Sequence, residues 1–226
     1  MTYVLEWILE CTLIALHFPL SILNFILPNA TVKESRYQTP IILVERWLSR
    51  NPLHLFMKKF LEKKGFIVYD INFPLLKGTF SESAGKLKRF IEEKNLSDII
   101  LVGVSNGGLT CYEYLTQYNG WGKTAKFISV GTPFQGARLG FLLFFTIARK
   151  ELLPKGLYVQ SILKRPIRNA DKIYCLGAKY DEMVGHHNSF LPGTKHIIVD
   201  VAGHNLLHTL WIPTLEKISN ICITQR

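Results

Sequence analysis

The fold of this 226-residue chain is decided by the stretch Ile99–Gly108, which reads IILVGVSNGG. Its leading aliphatic residues have no polar interruption, and they predict a strand buried on both faces, as in a parallel sheet covered by helices. Gly103–Gly107 then has the form G-x-S-x-G, and Leu109–Tyr118 has helical spacing. A strand, a sharp turn and a helix in this order would push the Ser105 hydroxyl out above the sheet edge, as a nucleophile requires. A glycine-rich turn with an idle serine is the alternative interpretation.

Short apolar runs alternate with helical patterns along the rest of the chain. Besides the strand before Ser105, the predicted strands cover residues 41–44, 66–70, 127–130, 172–177 and 196–201. The predicted helices cover about 51–64, 81–94, 109–118 and the chain from about 205. Strands that alternate with helices predict βαβ units. We therefore expect an α/β domain over residues 31–226, with a mostly parallel sheet flanked by helices.

Charge and cysteine content narrow the functional classes. The chain has 27 basic and 17 acidic residues, a formal charge of +10, and residues 1–40 hold two basic and three acidic ones. The remaining domain therefore carries +11, which suits nucleic acid, anionic lipid or acidic partners. There is no zinc-finger spacing and no aromatic-basic RNA motif, so nucleic acid is not the predicted partner. The four cysteines form no C-x-x-C pair, and neither a metal nor another cofactor is predicted.

Residues 1–30 form a separate apolar helical segment. Residues 3–27 are rich in Leu, Ile and Phe and are long enough to reach across a bilayer. The polar exceptions fall on one narrow stripe of the helix: Glu6, Glu10, His17, Ser21 and Asn24. Such a helix can lie on a membrane, span it with the stripe against a partner, or pack on its own domain. We expect membrane association with the main domain facing the cytoplasm, by the basic-flank rule, and a soluble cytoplasmic protein is the alternative.

A long insertion, at about 137–170, separates two of the predicted strands. It contains the apolar run Gly140–Phe145, and between Arg138 and Arg168 it has seven basic residues against one acid. Insertions of this length inside a compact domain are often functional, and lids over an active site are a common kind. A lid or cap is therefore predicted, with a helix packed on the domain edge as the alternative.

A serine hydroxyl attacks a carbonyl only when an imidazole takes its proton and a carboxylate orients that imidazole. On a parallel sheet such groups gather at the carboxyl ends of the strands. Asp181 follows the strand at 172–177 and His204 follows the last strand, which gives the chain order Ser105, Asp181, His204 typical of this topology. Glu182 and Asp200 are the rivals of Asp181 for the role of the carboxylate. His208 lies one helical turn beyond His204 and is interpreted as a surface residue. The adjacent pair His186 and His187 has no third ligand nearby at a spacing that suits a metal, and is interpreted as a solvated loop pair.

From about residue 40 to its end, the sequence resembles a compact α/β-hydrolase of the bacterial lipase and esterase type. The resemblance is carried by Gly103–Gly108, by the G-T-P-x-x-G segment in Gly131–Ala137, and by the stretches around Asp181 and His204. It implies a serine carboxylic-ester hydrolase that works through an acyl-enzyme, and the apolar N-terminal helix and the apolar, basic insertion favour lipid-like esters as its substrates. In that enzyme Ser105 is the nucleophile, His204 the general base and then acid, and Asp181 the orienting acid.

The oxyanion strand departs from the pattern of this family, in which the first strand generally ends in His-Gly. Here Val44 is followed by Glu45–Trp47. The resemblance implies the Asn106 amide as one oxyanion donor and the Trp47 amide as the matching second. Because arginine stands at the family's glycine position, the Arg46 guanidinium is the alternative source of positive charge. Two alternatives stay open: an acyltransferase on the same fold, and a catalytically silent hydrolase-like binding protein.

Overall fold

A computed structural model describes residues 2–23, 35–47, 54–74, 78–137, 152–153 and 156–224. In these ranges a sheet of six strands has the order β2-β1-β3-β4-β5-β6, and every neighbouring pair is parallel. The strands are β1 Ile41–Trp47, β2 Val68–Pro74, β3 Ile99–Val104, β4 Thr124–Val130, β5 Ile173–Tyr180 and β6 Lys195–Ala202. The prediction of a mostly parallel sheet is confirmed.

Helices cover the sheet on its two faces. They are α1 Thr2–Leu23, α2 His54–Lys63, α3 Phe80–Glu93, α4 Asn106–Gln117, α5 Leu157–Leu163, α6 His204–His208 and α7 Ile212–Ile223. The start of α3 has a local cause, because the Thr79 hydroxyl accepts from the Glu82 amide while the Glu82 carboxylate accepts from the Thr79 amide. The C-terminal helix predicted from residue 205 is in fact two helices, α6 and α7. The predicted helix start at residues 51–52 lies outside the described residues.

The core lies on both sides of β3, whose six residues are all buried. Successive side chains of a strand point to opposite faces. Ile99 and Leu101 accordingly pack with α3 and α4, while Ile100 and Val102 pack with α2 and α7. A central strand covered by helices on both faces is what the uninterrupted aliphatic run predicted.

The described part of the insertion packs on the domain edge. On α5, Val159 and Ile162 are buried, and Ile162 packs in the core beside α3 and α4. Just after α5, the Arg165 guanidinium meets the buried Glu113 carboxylate of α4 at 2.9 Å. This is the arrangement considered as the alternative to a lid. Residues 138–151, with the apolar run at 140–145, lie outside the described residues, and the lid stays a prediction.

Helix α1 packs on the domain through Glu6 and Glu10 of its polar stripe; the side chains of His17, Ser21 and Asn24 lie outside the described residues. The carboxylates of Glu6 and Glu10 are buried against β6 and α6, and Leu13 is buried beside them. Aliphatic residues on the other faces are exposed, with Leu5 at 65% and Ile8 at 58%. Helix α1 therefore packs on its own domain along one face, and its association with a membrane stays a prediction. No helix in the described ranges has both the length and the apolar character needed to cross a bilayer.

Candidate active site

Ser105 lies on the turn between β3 and α4 in a backbone conformation that serine rarely adopts, with φ 48° and ψ −122°. Small neighbours make this turn possible. A Cβ added at Gly103 would lie 2.5 Å from the Gly108 Cα, and one added at Gly107 would overlap the Val44 carbonyl oxygen. The turn is held in place by the Ser105 amide, which donates to the Val130 carbonyl of β4 at 2.8 Å. The tight packing on both sides maintains the strained conformation and points the hydroxyl out of the sheet edge.

The structure brings the three predicted catalytic residues into one line of hydrogen bonds. His204 Nε2 lies 3.0 Å from Ser105 Oγ, and His204 Nδ1 lies 2.8 Å from Asp181 Oδ2. The Asp181 carboxylate accepts a hydrogen bond from Nδ1–H, so Nε2 is left to accept a hydrogen bond from the serine hydroxyl. The other Asp181 oxygen accepts from the backbone amides of Met183 and Val184, at 3.0 and 2.7 Å. These two amides fix the carboxylate that orients the imidazole.

Buried carboxylates make this end of the site strongly negative. Burial opposes a charge on His204, but the Asp181 carboxylate outweighs it and, together with Glu182 and Glu10, raises the pKa of His204 to about 9. Burial also opposes the charge on Asp181, yet the facing imidazolium and the backbone amides of Val184 and Gly185 hold the pKa of that carboxyl below its usual range. The site therefore stabilises an imidazolium facing a carboxylate, which is the charge pair that forms when His204 takes the serine proton.

The G-T-P segment after β4 packs against both halves of this line. Gly131 has φ +61°, and a Cβ there would lie 3.0 Å from the Cε1 atom of His204. The neighbouring Thr132 is fully buried, and its side chain fills the space beside Gly108 at the start of α4. The segment that contributed to the sequence resemblance thus packs against both the imidazole and the serine turn.

The rival residues occupy different places. Glu182 is not the imidazole partner, because its carboxylate accepts from the His204 backbone amide at 3.1 Å. Asp200 lies on the surface, where it pairs with Lys179 at 3.1 Å and accepts from the Tyr3 hydroxyl at 2.8 Å. The pair His186 and His187 lies on a short 3-10 helix after β5.

His208 corrects the sequence interpretation, because it is buried rather than a surface residue. Its ring packs edge-on against His204, with 5.2 Å between the ring centroids. On its far side, His208 Nδ1 lies 3.4 Å from Nε2 of His54, and the His54 ring meets the Glu45 carboxylate at 3.2 Å. A buried row of imidazoles therefore runs from the catalytic position to β1, which the sequence did not predict.

The predicted oxyanion donors lie at the start of α4 and at the end of β1. Asn106 is the first residue of α4, and its amide is one of the helical N–H groups that have no intrahelical acceptor. Trp47 ends β1, but its side chain and that of Arg46 lie outside the described residues. The backbone of Val44 and Glu45 is the part of β1 that borders the serine turn at Gly107. The Trp47 donor and the Arg46 charge stay predictions.

Sequence reasoning missed the role of two residues on α1. Glu10 and Glu6 were recognised as part of a polar stripe, but their partners lie about 195 residues away along the chain. Glu10 accepts from the amides of Asn205 and Leu206, and Glu6 accepts from the amide of Ala202. The stripe itself was the signal that this face meets polar groups.

Comparison with known proteins identifies the fold. Neither a family model nor a curated protein matches the sequence. The mature lipase BlEst2 of Bacillus licheniformis is similar in structure, with a TM-score of 0.69 and 17% identity over 84% of this chain and 96% of the lipase. The carboxylesterase CesB of Bacillus subtilis gives 0.59 and 14% over 85% and 87%, and a bromoperoxidase of Bacillus anthracis gives 0.54 and 14% over 85% and 94%. The predicted α/β-hydrolase fold is confirmed, and its solved neighbours include lipases and esterases.

Proposed function

We propose that this protein is a serine carboxylic-ester hydrolase that works through an acyl-enzyme. The observation that carries the proposal is the continuous line from Ser105 Oγ through the His204 ring to Asp181, with contacts of 3.0 and 2.8 Å. An imidazole within hydrogen-bond reach of a serine hydroxyl, and itself oriented by a buried carboxylate, is the arrangement that activates a serine for acyl transfer.

The reaction follows from these positions. Ser105 Oγ attacks the ester carbonyl carbon while its proton moves to Nε2 of His204, and the carbonyl oxygen takes the negative charge. The Asn106 amide, with Trp47 as the second donor, would stabilise that oxygen. The bond to the alcohol oxygen then breaks, and the alcohol leaves with the proton from His204. Water repeats the sequence on the acyl-enzyme, which releases the acid and returns the proton to Ser105.

A lipid-like ester at a membrane surface is the substrate we propose. Support comes from α1, whose exposed face offers aliphatic side chains such as Leu5, Ile8 and Ile14 to the surroundings. The domain beyond residue 40 carries +11, and basic residues near an anionic surface contribute roughly 1 kcal/mol each to attraction. Together they favour a position at an anionic lipid surface with α1 lying along it.

A fluorophosphonate probe and a panel of esters test the proposal. Wild-type protein should take the probe and hydrolyse p-nitrophenyl esters, with acyl chains from acetate to palmitate defining the preferred length. Ser105→Ala should abolish labelling and reduce hydrolysis to background, while Ser81→Ala, an exposed serine on α3, should leave both unchanged. Labelling that persists in Ser105→Ala would contradict the assignment of the nucleophile.

The same experiment separates the alternatives. A silent binding protein would take no probe and hydrolyse no ester. An acyltransferase would take the probe, but in the presence of alcohol acceptors most of its product would be a new ester rather than the free acid.

A further inference from the structure

The carboxylate of Glu10 is bound by the backbone that carries His204. One oxygen accepts from the Asn205 amide at 2.8 Å and from the Asn205 side-chain amide at 2.7 Å, and the other accepts from the Leu206 amide at 2.7 Å. Glu10 is only 1% exposed. Both oxygens are therefore used, and all of their partners lie within two residues of the imidazole.

The residue before His204 leaves room for this carboxylate. Gly203 has φ +122°, and a Cβ at that position would lie 2.8 Å from the carboxyl carbon of Glu10. A residue with a side chain at position 203 would displace Glu10. The Glu10 carboxylate can therefore occupy this place only because residue 203 is a glycine. From another side, the Glu182 carboxylate accepts from the His204 amide at 3.1 Å.

We propose that Glu10 is a positioning residue for the proposed ester hydrolysis, which fixes the His204 backbone from α1 and adds negative charge beside the imidazolium. The inference rests on the proposed function. It makes α1 a part of the active site as well as a surface for lipid. Removal of α1 is therefore expected to lower activity on a short soluble ester too, unlike removal of a helix that serves only as an anchor.

Loss of the Glu10 charge should change the pKa of His204 in a definite direction. Among the described residues, the ionisable groups beside His204 are Glu10 of α1, Asp181 and Glu182 after β5, and His208 of α6. His208 in turn contacts His54 of α2, which pairs with Glu45 of β1. A negative charge near His204 favours its protonated form, so neutralising Glu10 lowers the pKa at which the imidazole becomes a free base. Burial first and then the charge of Glu10 raise the pKa of Glu182 to about 7. A neutral residue at 10 would therefore also let Glu182 ionise more readily, which offsets part of the change.

Glu10→Gln tests the proposal with Glu6→Gln as its matched control. Glu6 lies one turn earlier on α1, is also buried, and accepts from the Ala202 amide of β6 at 2.6 Å. For Glu10→Gln we expect kcat on p-nitrophenyl acetate to fall about 10- to 100-fold with little change in KM, since a misplaced base affects the chemical step. The pH at which kcat/KM reaches half its plateau should fall by about half a unit, and by more in a Glu182→Gln background. Glu6→Gln should leave that pH unchanged.

Glu10→Asp keeps the charge on a shorter side chain and serves as the conservative variant. It should retain the wild-type pH midpoint and recover part of the kcat lost in Glu10→Gln, and it also serves if Glu10→Gln fails to fold. Equal losses of kcat in Glu10→Gln and Glu6→Gln, in proportion to their loss of thermal stability and with unchanged pH midpoints, would overturn the proposal.

An NMR titration of the His204 ring, in wild type and Glu10→Gln, separates this inference from the proposed function. A wild type that neither takes the fluorophosphonate probe nor hydrolyses esters would refute the proposed function. The titration would still show whether Glu10 influences the charge of His204. A ring pKa identical in the two proteins would refute the inference even in an active enzyme.

Discussion

The serine end and the histidine end of the candidate site are built in different ways. The turn that carries Ser105 is local, since its shape depends on Gly103 and Gly107 and on the strands on either side. The segment that carries His204 is held from a distance, by Asp181 after β5 and by Glu10 on α1, 195 residues away. The serine turn is therefore formed by small residues and close packing. The histidine segment is held by buried carboxylates that accept hydrogen bonds from backbone and ring N–H groups.

Because of this difference, the two ends should tolerate different kinds of substitution. A turn formed by close backbone contacts fails when atoms are added, because packed backbone has no room to move. A segment held by charged hydrogen bonds fails when a charge is removed, because the buried donors lose their partners. Substitutions at the two ends should therefore differ in whether they change folding or pH dependence.

The largest effect is expected where the two ends meet. Ser105→Ala or His204→Ala should each lower kcat by about 10⁴- to 10⁶-fold, because the hydroxyl and the imidazole act as one unit. The double variant should be no slower than either single one, as measured by residual hydrolysis of p-nitrophenyl acetate. Effects that multiply in the double variant would mean that the two residues work independently.

Asp181→Asn should change the pH dependence most. In the wild type the pKa of His204 is raised to about 9, and only the neutral ring can act as base, so kcat/KM should rise with pH up to about 9. Without the carboxylate, the largest charge that offsets burial of the ring is lost, and the midpoint should fall well below that of the wild type. We also expect kcat to fall by about 10⁴-fold, because the imidazole loses its orienting acceptor. A midpoint that stays near 9 would contradict the assigned pair.

Gly103→Ala should instead act on folding. Its Cβ would lie 2.5 Å from a backbone atom of Gly108, so the free energy of unfolding should drop by about 2 kcal/mol. Gly122→Ala is the control, since, apart from its chain neighbours, no atom of the described residues lies within 4 Å of the added Cβ. Urea denaturation measures both, and the residual activity of folded Gly103→Ala should keep the wild-type pH midpoint. Equal stability of the two variants would show that the turn around Gly103 is less tightly packed than the structure indicates.

The smallest effect is expected on the outer face of α1. Replacement of both Leu5 and Ile8 with Gln should weaken binding to vesicles that contain phosphatidylglycerol by about tenfold, because two exposed aliphatic side chains are lost. Hydrolysis of a short soluble ester should not change. The matched control is Ile223→Gln, an exposed aliphatic residue on α7. Cosedimentation with vesicles measures binding, and loss of binding in the control alone would place the lipid surface elsewhere.

The sequence by itself determined the sheet, the serine turn and the order of the three candidate catalytic residues. These features depend on short-range patterns: an aliphatic run, glycines where a Cβ cannot fit, and polar residues just after strands. The same patterns placed Asp181 and His204 at the correct strand ends, because the carboxyl ends of parallel strands meet at one edge of the sheet.

Only the tertiary structure decided what Glu6 and Glu10 of the α1 stripe contact and what surrounds His204. An apolar helix with a narrow polar stripe is compatible with a membrane, a partner or its own domain, since periodicity defines a face but not its partner. The contacts of Glu10 and the burial of His208 beside His54 join residues more than 150 positions apart. No local pattern predicts such pairs, because they form only when the folded sheet brings distant elements together.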